Sequence, residues 1–163
     1  MNIQKILEEL RQTQKYKEFS QKNPDSFIYA IFSIIDTEKN TGEYQFDFFI
    51  PKEEKIASIS YPFETNNFKV HEDKIKNIKP IPKTLTIDID NLQTFIKKAK
   101  EENQNSQFTT KIIAVLREGI WDITCMSAAM DILRIKLDAV HGKTLEFKKS
   151  GLKDFIRVEK LDK

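Results

Sequence analysis

The chain opens with a helical pattern of apolar residues that recurs in its second half. Apolar side chains at the i, i+3, i+4, i+7 spacing of an amphipathic helix predict a first helix, with Ile3, Ile6, Leu7 and Leu10 on its buried face. The same spacing predicts a second helix, with Leu92, Phe95, Ile96 and Ala99 in the corresponding places. Asp90 is a suitable N-cap for the second helix, and Gln93 completes a capping box.

Four apolar segments with the patterns of β-strands follow each helix. The predicted strands of the first half are 27–35, 46–50, 57–61 and 68–70, and those of the second half are 108–116, 121–125, 133–137 and 145–147. In this alignment Phe32 corresponds to Ile113, Ile34 to Val115 and Phe48 to Ile123. A short apolar tail follows each set, in which Ile75 and Ile78 match Leu152 and Phe155.

The matching order of elements predicts an α+β fold made of two tandem repeats, each a helix followed by a four-stranded antiparallel sheet. The first repeat spans residues 1–79 and the second spans residues 85–163. Residues 80–84, which contain Pro80 and Pro82, form the predicted linker. The alternative is one α+β domain whose two halves merely share secondary structure.

The last predicted hairpin carries a family resemblance. IKLDAVHGKTLEF reads as strand, tight turn and strand, in which Gly142 can adopt positive φ and Asp138 can bond back to the turn backbone. With Asp138, Ala139, Gly142 and Lys143 the second half resembles a PepSY-like domain, although His141 stands where that family usually has Thr. The corresponding first-half turn, PFETNN, lacks the motif. The resemblance implies a cystatin-like fold, in which a sheet curls against a helix, and a role in binding or restraining peptidases.

Composition and charge narrow the classes of partner. A chain of 163 residues that is 39% hydrophobic, with twelve Phe, can form a substantial core. Its 27 basic and 25 acidic residues nearly cancel and form no long block of one sign, which argues against nucleic acid as the main partner. The sequence has no apolar run of membrane-spanning length and no signal-peptide pattern, which predicts a cytoplasmic protein without a membrane span. The single Cys125 fits a reducing compartment, and its place beside Trp121 and Ile123 on an apolar strand face predicts an inert core thiol.

The sequence shows no catalytic, cofactor-binding or metal-binding motif, so we predict a protein that is not an enzyme and needs no cofactor. His71 and His141 lie beside predicted strand ends or turns, and neither has a second strong metal ligand at helical or ladder spacing. The four glycines form no phosphate-binding loop, and Ser127 lacks the context of a nucleophile elbow. A Ser-His-Asp set assembled in space stays open, although His141 has no evident partner to hold it as a general base.

Three residues are predicted to bind a partner. Phe49 has the opposite phase to Phe46 and Phe48, so it points toward solvent or a second layer. Met126 has the outward phase in the second half, and Met130 lies in the following loop. Exposed aromatic and Met side chains suit an adaptable interface. The first strand is apolar in both phases, however, so the alternative is that the sister repeat, or another subunit of a homo-oligomer, covers this outer face.

Two functions from different classes follow. The favoured one is a non-enzymatic binding or regulatory module that restrains a peptidase or docks on another protein. The alternative is a small enzyme or ligand carrier with a pocket between helix and curved sheet. A deep pocket with a buried carboxylate or histidine would favour the alternative. A helix packed flush on the sheet would favour the module.

Overall fold

The computed structural model describes residues 2–151, and within them the chain forms three helices and one eight-stranded sheet. The helices are α1 (Ile3–Gln12), α2 (Gln14–Lys22) and α3 (Leu92–Glu102). The strands, in chain order, are β1 (Phe27–Asp36), β2 (Thr41–Ile50), β3 (Lys55–Tyr61), β4 (Lys69–Val70), β5 (Thr109–Arg117), β6 (Ile120–Ser127), β7 (Asp131–Asp138) and β8 (Thr144–Gly151). No helix in this part of the chain has the length and apolar character needed to cross a membrane.

The sheet is antiparallel throughout, in the order β4-β3-β2-β1-β5-β6-β7-β8. Strands β1 to β4 form one side of the sheet and strands β5 to β8 form the other. The two sides join where β1 pairs with β5, so the sheet is continuous from one edge to the other. The predicted α+β class with an antiparallel sheet is therefore confirmed.

One face of the sheet, the inner face, packs against the helices and holds the main core. Helix α1 buries its predicted apolar stripe, and α3 buries Leu92, Ile96 and Ala99, while Phe95 of the predicted stripe is only partly buried. Trp121 is fully buried among the inner side chains of β6, and its indole Nε1 donates to the carbonyl oxygen of Ile87 at 2.8 Å. Trp121 and Ile123 therefore lie on a buried strand face, as the apolar alternation of this strand predicts.

Local side-chain hydrogen bonds set two helix boundaries, and one of them differs from the boundary expected. The N-cap of α3 is Asn91 and not Asp90: the Asn91 side chain accepts from the backbone N–H of Asp88 at 2.7 Å and donates to the carbonyl of Thr86 at 2.9 Å. These bonds shape the turn before the helix and leave the predicted Asp90 capping box unformed. In the first half Thr13 splits the helical region into α1 and α2, because its hydroxyl donates to Leu10 and accepts from the N–H of Tyr16.

The turn between β1 and β2 is shorter than the sequence pattern indicated. The Asp36 carboxylate accepts from the backbone N–H groups of Glu38 and Lys39, and Asn40 adopts a φ of 53°. Asp and Asn favour such turns because their side chains bond locally and tolerate positive φ. Strand β2 therefore begins at Thr41, five residues before its predicted start at Phe46.

The β7–β8 hairpin has the turn that its sequence predicts. Gly142 adopts a φ of 74°, and its N–H donates to the carbonyl of Asp138 at 2.8 Å. The Asp138 carboxylate accepts from the backbone N–H groups of Val140 and His141 at 3.0 and 2.9 Å. Both expectations for this hairpin, positive φ at Gly142 and side-chain bonding by Asp138, are confirmed.

The opposite, outer face of the sheet is covered in the first half by the segment that follows β4. Ile75 and Ile78 pack on a second apolar cluster that contains Tyr29, Phe49 and Ile56. Backbone bonds hold this segment in place, from Ile75 N–H to Glu54 at 2.8 Å and from Ile81 N–H to Ile28 at 3.1 Å. The matching apolar tail of the second half, Leu152 and Phe155, lies outside the described residues.

Candidate functional site

Two loops at one end of the second half form an open cleft of about 510 Å³, called here the end cleft. One wall is the loop 104–108, which leads from α3 into β5, and the other is formed by 127–129 and Asp131, around the turn between β6 and β7. Leu133 of β7 and Lys149 of β8 also line it. The lining is therefore drawn from four elements of the second half.

Hydrogen bonds hold the two walls of the end cleft together. The Gln107 side-chain amide donates to the carbonyl of Asp131 at 2.8 Å, which links one wall to the other. Lys100 of α3 donates to the carbonyl of Gln107 at 3.0 Å and to the hydroxyl of Thr109 at 2.5 Å. A cleft fixed in this way loses little conformational entropy when it binds.

Two of the most exposed apolar side chains in the described part of the protein lie in the end cleft or in the turn beside it. Phe108 lines the cleft and is 77% exposed, and Met130, which lies in the β6–β7 turn but is not itself a lining residue, is 52% exposed. Met130 also adopts a φ of 66°, a left-handed conformation that a non-glycine residue rarely adopts. Such a conformation costs about 1–2 kcal/mol and favours Gly or Asn at this position. Strain of this kind often accompanies a functional role.

The structure places the predicted partner-binding residues in two regions. Met130 is exposed in the β6–β7 turn beside the end cleft, and the half-buried Met126 lies on β6, paired with Ile132 of β7. Phe49 is in the first half and is only 8% exposed, because Ile75 and Ile78 pack on its cluster. The sequence left open whether the Phe49 side chain faces solvent or a second layer, and in the structure it faces a second layer. Its side chain is therefore not part of the accessible surface.

Sequence reasoning did not select Phe108. It assigned Phe108 to the start of a buried strand by analogy with Phe27, whereas β5 begins one residue later at Thr109. The polar run before it, EENQNSQ, is typical of a loop and is the available signal that Phe108 follows a surface segment.

A polar cluster on the outer face of the first half brings together Ser58, His71 and Asp47. The Ser58 hydroxyl donates to Asp47 Oδ1 at 2.6 Å and lies 2.9 Å from Nε2 of His71. Gln45 donates to the same carboxylate oxygen at 2.9 Å. These side chains come from β2, β3 and the residue after β4, so a serine, a histidine and an aspartate do meet in space.

The directions of the hydrogen bonds in this cluster differ from those around the serine of a catalytic triad. A hydroxyl has one hydrogen, and a carboxylate only accepts, so Ser58 donates to Asp47 and accepts from Nε2–H of His71. In a catalytic triad the serine donates to a histidine that the aspartate orients. Here the histidine is instead a donor that ties the segment after β4 to the sheet, since the His71 backbone N–H also bonds to Ile56 at 2.8 Å.

His141 has a partner that the sequence did not suggest. Its Nδ1 lies 2.8 Å from Oδ2 of Asp138, within the β7–β8 turn, so the expectation of a histidine without a positioned partner is wrong. The backbone N–H and ring of His141, followed by the N–H of Val140, hold the pKa of Asp138 below its ordinary value. Because the His141 side chain is 69% exposed, this pair is a feature of the turn surface.

Cys125 lies in the core, as expected. It is fully buried on β6, and burial raises the pKa of its thiol to about 11. The thiolate is the reactive form of cysteine. At neutral pH Cys125 is therefore protonated and shielded, in agreement with its interpretation as an inert core thiol.

A smaller pocket of about 270 Å³ lies between α1 and the sheet. Its lining is mainly apolar and includes Leu7, Leu10, Phe48 and Ile81. The charged residues that line it are Arg11 and Lys83, and no carboxylate or histidine is among its lining residues. The pocket therefore lies where a ligand carrier would bind its ligand, between helix and sheet. Its lining lacks the buried carboxylate or histidine expected of an enzyme.

Comparison with known proteins supports the fold. No protein-family model matches the chain, and no curated protein matches it. The fold is similar to the crystal structure of a "putative lipoprotein" from Clostridium difficile 630, with a TM-score of 0.54. The match covers 83% of this chain and 90% of that chain, with 13% sequence identity. At this identity the similarity concerns the fold alone.

Proposed function

We propose that this protein is a non-enzymatic binding or regulatory module that docks on a protein partner through the end cleft. The observation that carries this proposal is the exposure of Phe108 in the end cleft, 77%, and of Met130 in the turn beside it, 52%, where the Gln107–Asp131 bond joins the two walls. Fully burying a Phe or Met side chain contributes about 1.5–3 kcal/mol. Large side chains of this kind, set in a fixed pocket, concentrate the binding energy of an interface.

The polar lining of the end cleft suits a polypeptide partner. Gln104, Asn105 and Ser106 supply amide and hydroxyl groups that can both donate and accept, as peptide groups do. A few polar groups around apolar anchors fix the orientation of a bound molecule. The PepSY-like resemblance of the Asp138–Lys143 turn makes a peptidase the first candidate partner, and restraint of that peptidase the first candidate role.

We propose further that the chain is built from two cystatin-like repeats, residues 1–79 and 85–163, joined by the linker 80–84. Outward from the central β1–β5 pair, the strands follow chain order on both sides, β1 to β4 on one side and β5 to β8 on the other. The alignment that matches Phe32 with Ile113 also matches Ser33 with Ala114, and these two residues are direct partners across β1 and β5. A twofold axis through that pair would exchange the two halves. Helix α2 is the main element without a counterpart.

A ligand carrier is the second candidate, and the pocket between α1 and the sheet favours it. Its apolar lining together with Arg11 and Lys83 would suit a small apolar molecule with an anionic group. Fluorescence titration with a fatty acid tests this candidate. Saturable binding that Leu10→Trp weakens by filling the pocket would support it, and the absence of binding would remove it.

The location of the protein is a separate proposal. The sequence predicts a cytoplasmic protein, whereas the structural neighbour is named a lipoprotein. Fractionation of the native cell with an antibody against the chain decides between the two. Recovery with the cytosolic fraction is the expected result, and recovery with membranes would contradict it.

The binding proposal is tested first by affinity capture from the native cell. Wild-type protein and the Phe108→Ala/Met130→Ala variant are immobilised in parallel, and the bound proteins are compared by mass spectrometry. Leu145→Ala is the matched control, because Leu145 is 53% exposed but lies on β8 away from the cleft lining. A partner retained by wild type and by the control but lost by the double variant supports the proposal. Equal retention by all three would contradict it.

A further inference from the structure

The outer face of the sheet has an apolar centre that neither buried cluster includes. It consists of Phe32 and Ile34 on β1 with Ile113 and Val115 on β5, called here the outer patch. The four are mutual neighbours, because Phe32 pairs with Val115 and Ile34 pairs with Ile113. All four are partly exposed, and within residues 2–151 none belongs to the main core or to the cluster around Phe49.

The continuous sheet determines which parts of the molecule can cover this patch. Because β1 and β5 are hydrogen-bonded neighbours, the second half lies beside the first and not over its outer face. The segment 71–81 covers the end of β1 that carries Phe27 and Tyr29. The other end of β1 has the apolar residues Phe32 and Ile34 on its outer side. An antiparallel sheet with one face in solvent usually has polar residues on that face.

The charged residues around the outer patch are divided by sign. On the outward phase of β1 and β2 the ionisable residues are acidic: Asp36, Glu43 and Asp47. On the outward phase of β5, β6 and β7 four basic residues accompany two acids: Lys111, Arg117, Arg134 and Lys136 against Asp122 and Asp138. Lys136 lies 3.8 Å from Glu146 of β8, which leaves an excess of positive charge on this side.

We infer that two copies of the chain associate face to face through the outer patch. In a twofold dimer the same surface of each copy meets the other, so the interface must be self-complementary. A twofold axis in the interface plane, parallel to β1 and β5, would place the acidic β1–β2 side of one copy over the basic β5–β7 side of its partner. The two outer patches then bury each other at the centre, where apolar residues contribute most, with the charges around them.

Sedimentation velocity over a range of protein concentration tests this inference. Wild type is expected to sediment as a species of twice the 19.1 kDa chain mass, and high salt is expected to weaken the association. Ile34→Asp, which places a charge in the patch, should give a folded monomer. Leu145→Asp, at an exposed apolar position on β8, is the matched control and should stay dimeric. A monomeric wild type, a folded Ile34→Asp dimer or equal loss in the control would each overturn the inference.

Milder variants keep the test valid if Ile34→Asp fails to fold. Val115→Thr preserves the shape and strand preference of the side chain and should raise the dimer dissociation constant about tenfold or more. Glu43→Lys sets a positive charge against the basic side of the partner, so it should raise the dimer dissociation constant about three- to tenfold. Glu64→Lys, in the loop after β3, is the control and should change the dissociation constant little. Unchanged dissociation constants for both Val115→Thr and Glu43→Lys would contradict the inference. The Phe108→Ala/Met130→Ala variant should remain dimeric, which separates this result from that for the end cleft.

Discussion

Ser33 of β1 pairs directly with Ala114 of β5 at the centre of the sheet, and both side chains are fully buried. The two positions are also equivalent when the halves are aligned by their apolar pattern. Both side chains are small. The Ser33 hydroxyl has no hydrogen-bond partner in the described structure. A buried hydroxyl without a partner is unfavourable, so this pair makes a direct prediction about stability.

Ser33→Ala is expected to stabilise the protein by about 1 kcal/mol, because it removes the unpaired hydroxyl without leaving another group unsatisfied. The free energy of unfolding in urea measures the effect. The reverse change, Ala114→Ser, adds a second buried hydroxyl at the equivalent position and should destabilise by about 1–3 kcal/mol. If Ser33→Ala were clearly destabilising, the Ser33 hydroxyl would have a partner in solution.

Trp121 makes two separable contributions to stability. Trp121→Ala removes a fully buried aromatic side chain and should cost about 3–5 kcal/mol. Trp121→Phe keeps most of the apolar volume but removes the donor to Ile87, and should cost about 1–3 kcal/mol. Urea unfolding followed by circular dichroism gives both values. Unchanged unfolding of both variants would mean that Trp121 lies outside the core.

The low pKa of Asp138 predicts a dependence of stability on pH. A carboxyl group whose pKa is lower in the folded state stabilises that state above its unfolded pKa, near 3.8, and the contribution is lost as the pH falls through the folded pKa. Asp138→Asn should therefore be less stable than wild type at pH 7, and the difference should shrink below about pH 4. Asp73→Asn, at an exposed loop position, is the control. A difference that stays constant from pH 7 to pH 2.5 would contradict this account.

Cys125 should resist thiol reagents in the folded protein. Burial keeps its pKa near 11, so at pH 8 the reactive thiolate is scarce and the sulfur is shielded. Reaction with a chromogenic disulfide reagent should be slow in native buffer and fast in concentrated urea. Rapid stoichiometric labelling of the native protein would show that the thiol is accessible.

The sequence predicted the helix stripe, the strand phases and the β7–β8 turn from local patterns. The buried stripe of α1 follows from helical spacing, and the inward phase of Phe46, Phe48, Trp121 and Ile123 follows from alternation. The turn at Asp138 and Gly142 follows from the conformational preferences of those residues. Each of these features is set by residues close together in the chain, which is why a sequence pattern can predict it.

Features that depend on distant contacts were not predicted. Phe49 has an outward phase, but the segment carrying Ile75 and Ile78 folds over it, and strand alternation does not indicate such a cover. Asp47, Ser58 and His71 meet because neighbouring strands set their register, which the spacing of three polar residues does not reveal. Phe108 was assigned to a strand because the boundary between a polar loop and an apolar strand is the least certain part of such a pattern.

Calorimetric titration of the captured partner with matched variants tests the central claim, that this protein acts by binding through the end cleft. Phe108→Ala and Met130→Ala should each weaken binding about thirtyfold, which corresponds to about 2 kcal/mol per anchor. His71→Ala and His141→Ala, once shown to be folded, should bind like wild type. Wild-type affinity in the Phe108→Ala/Met130→Ala variant, together with loss of affinity or of a measurable activity in either histidine variant, would contradict the account.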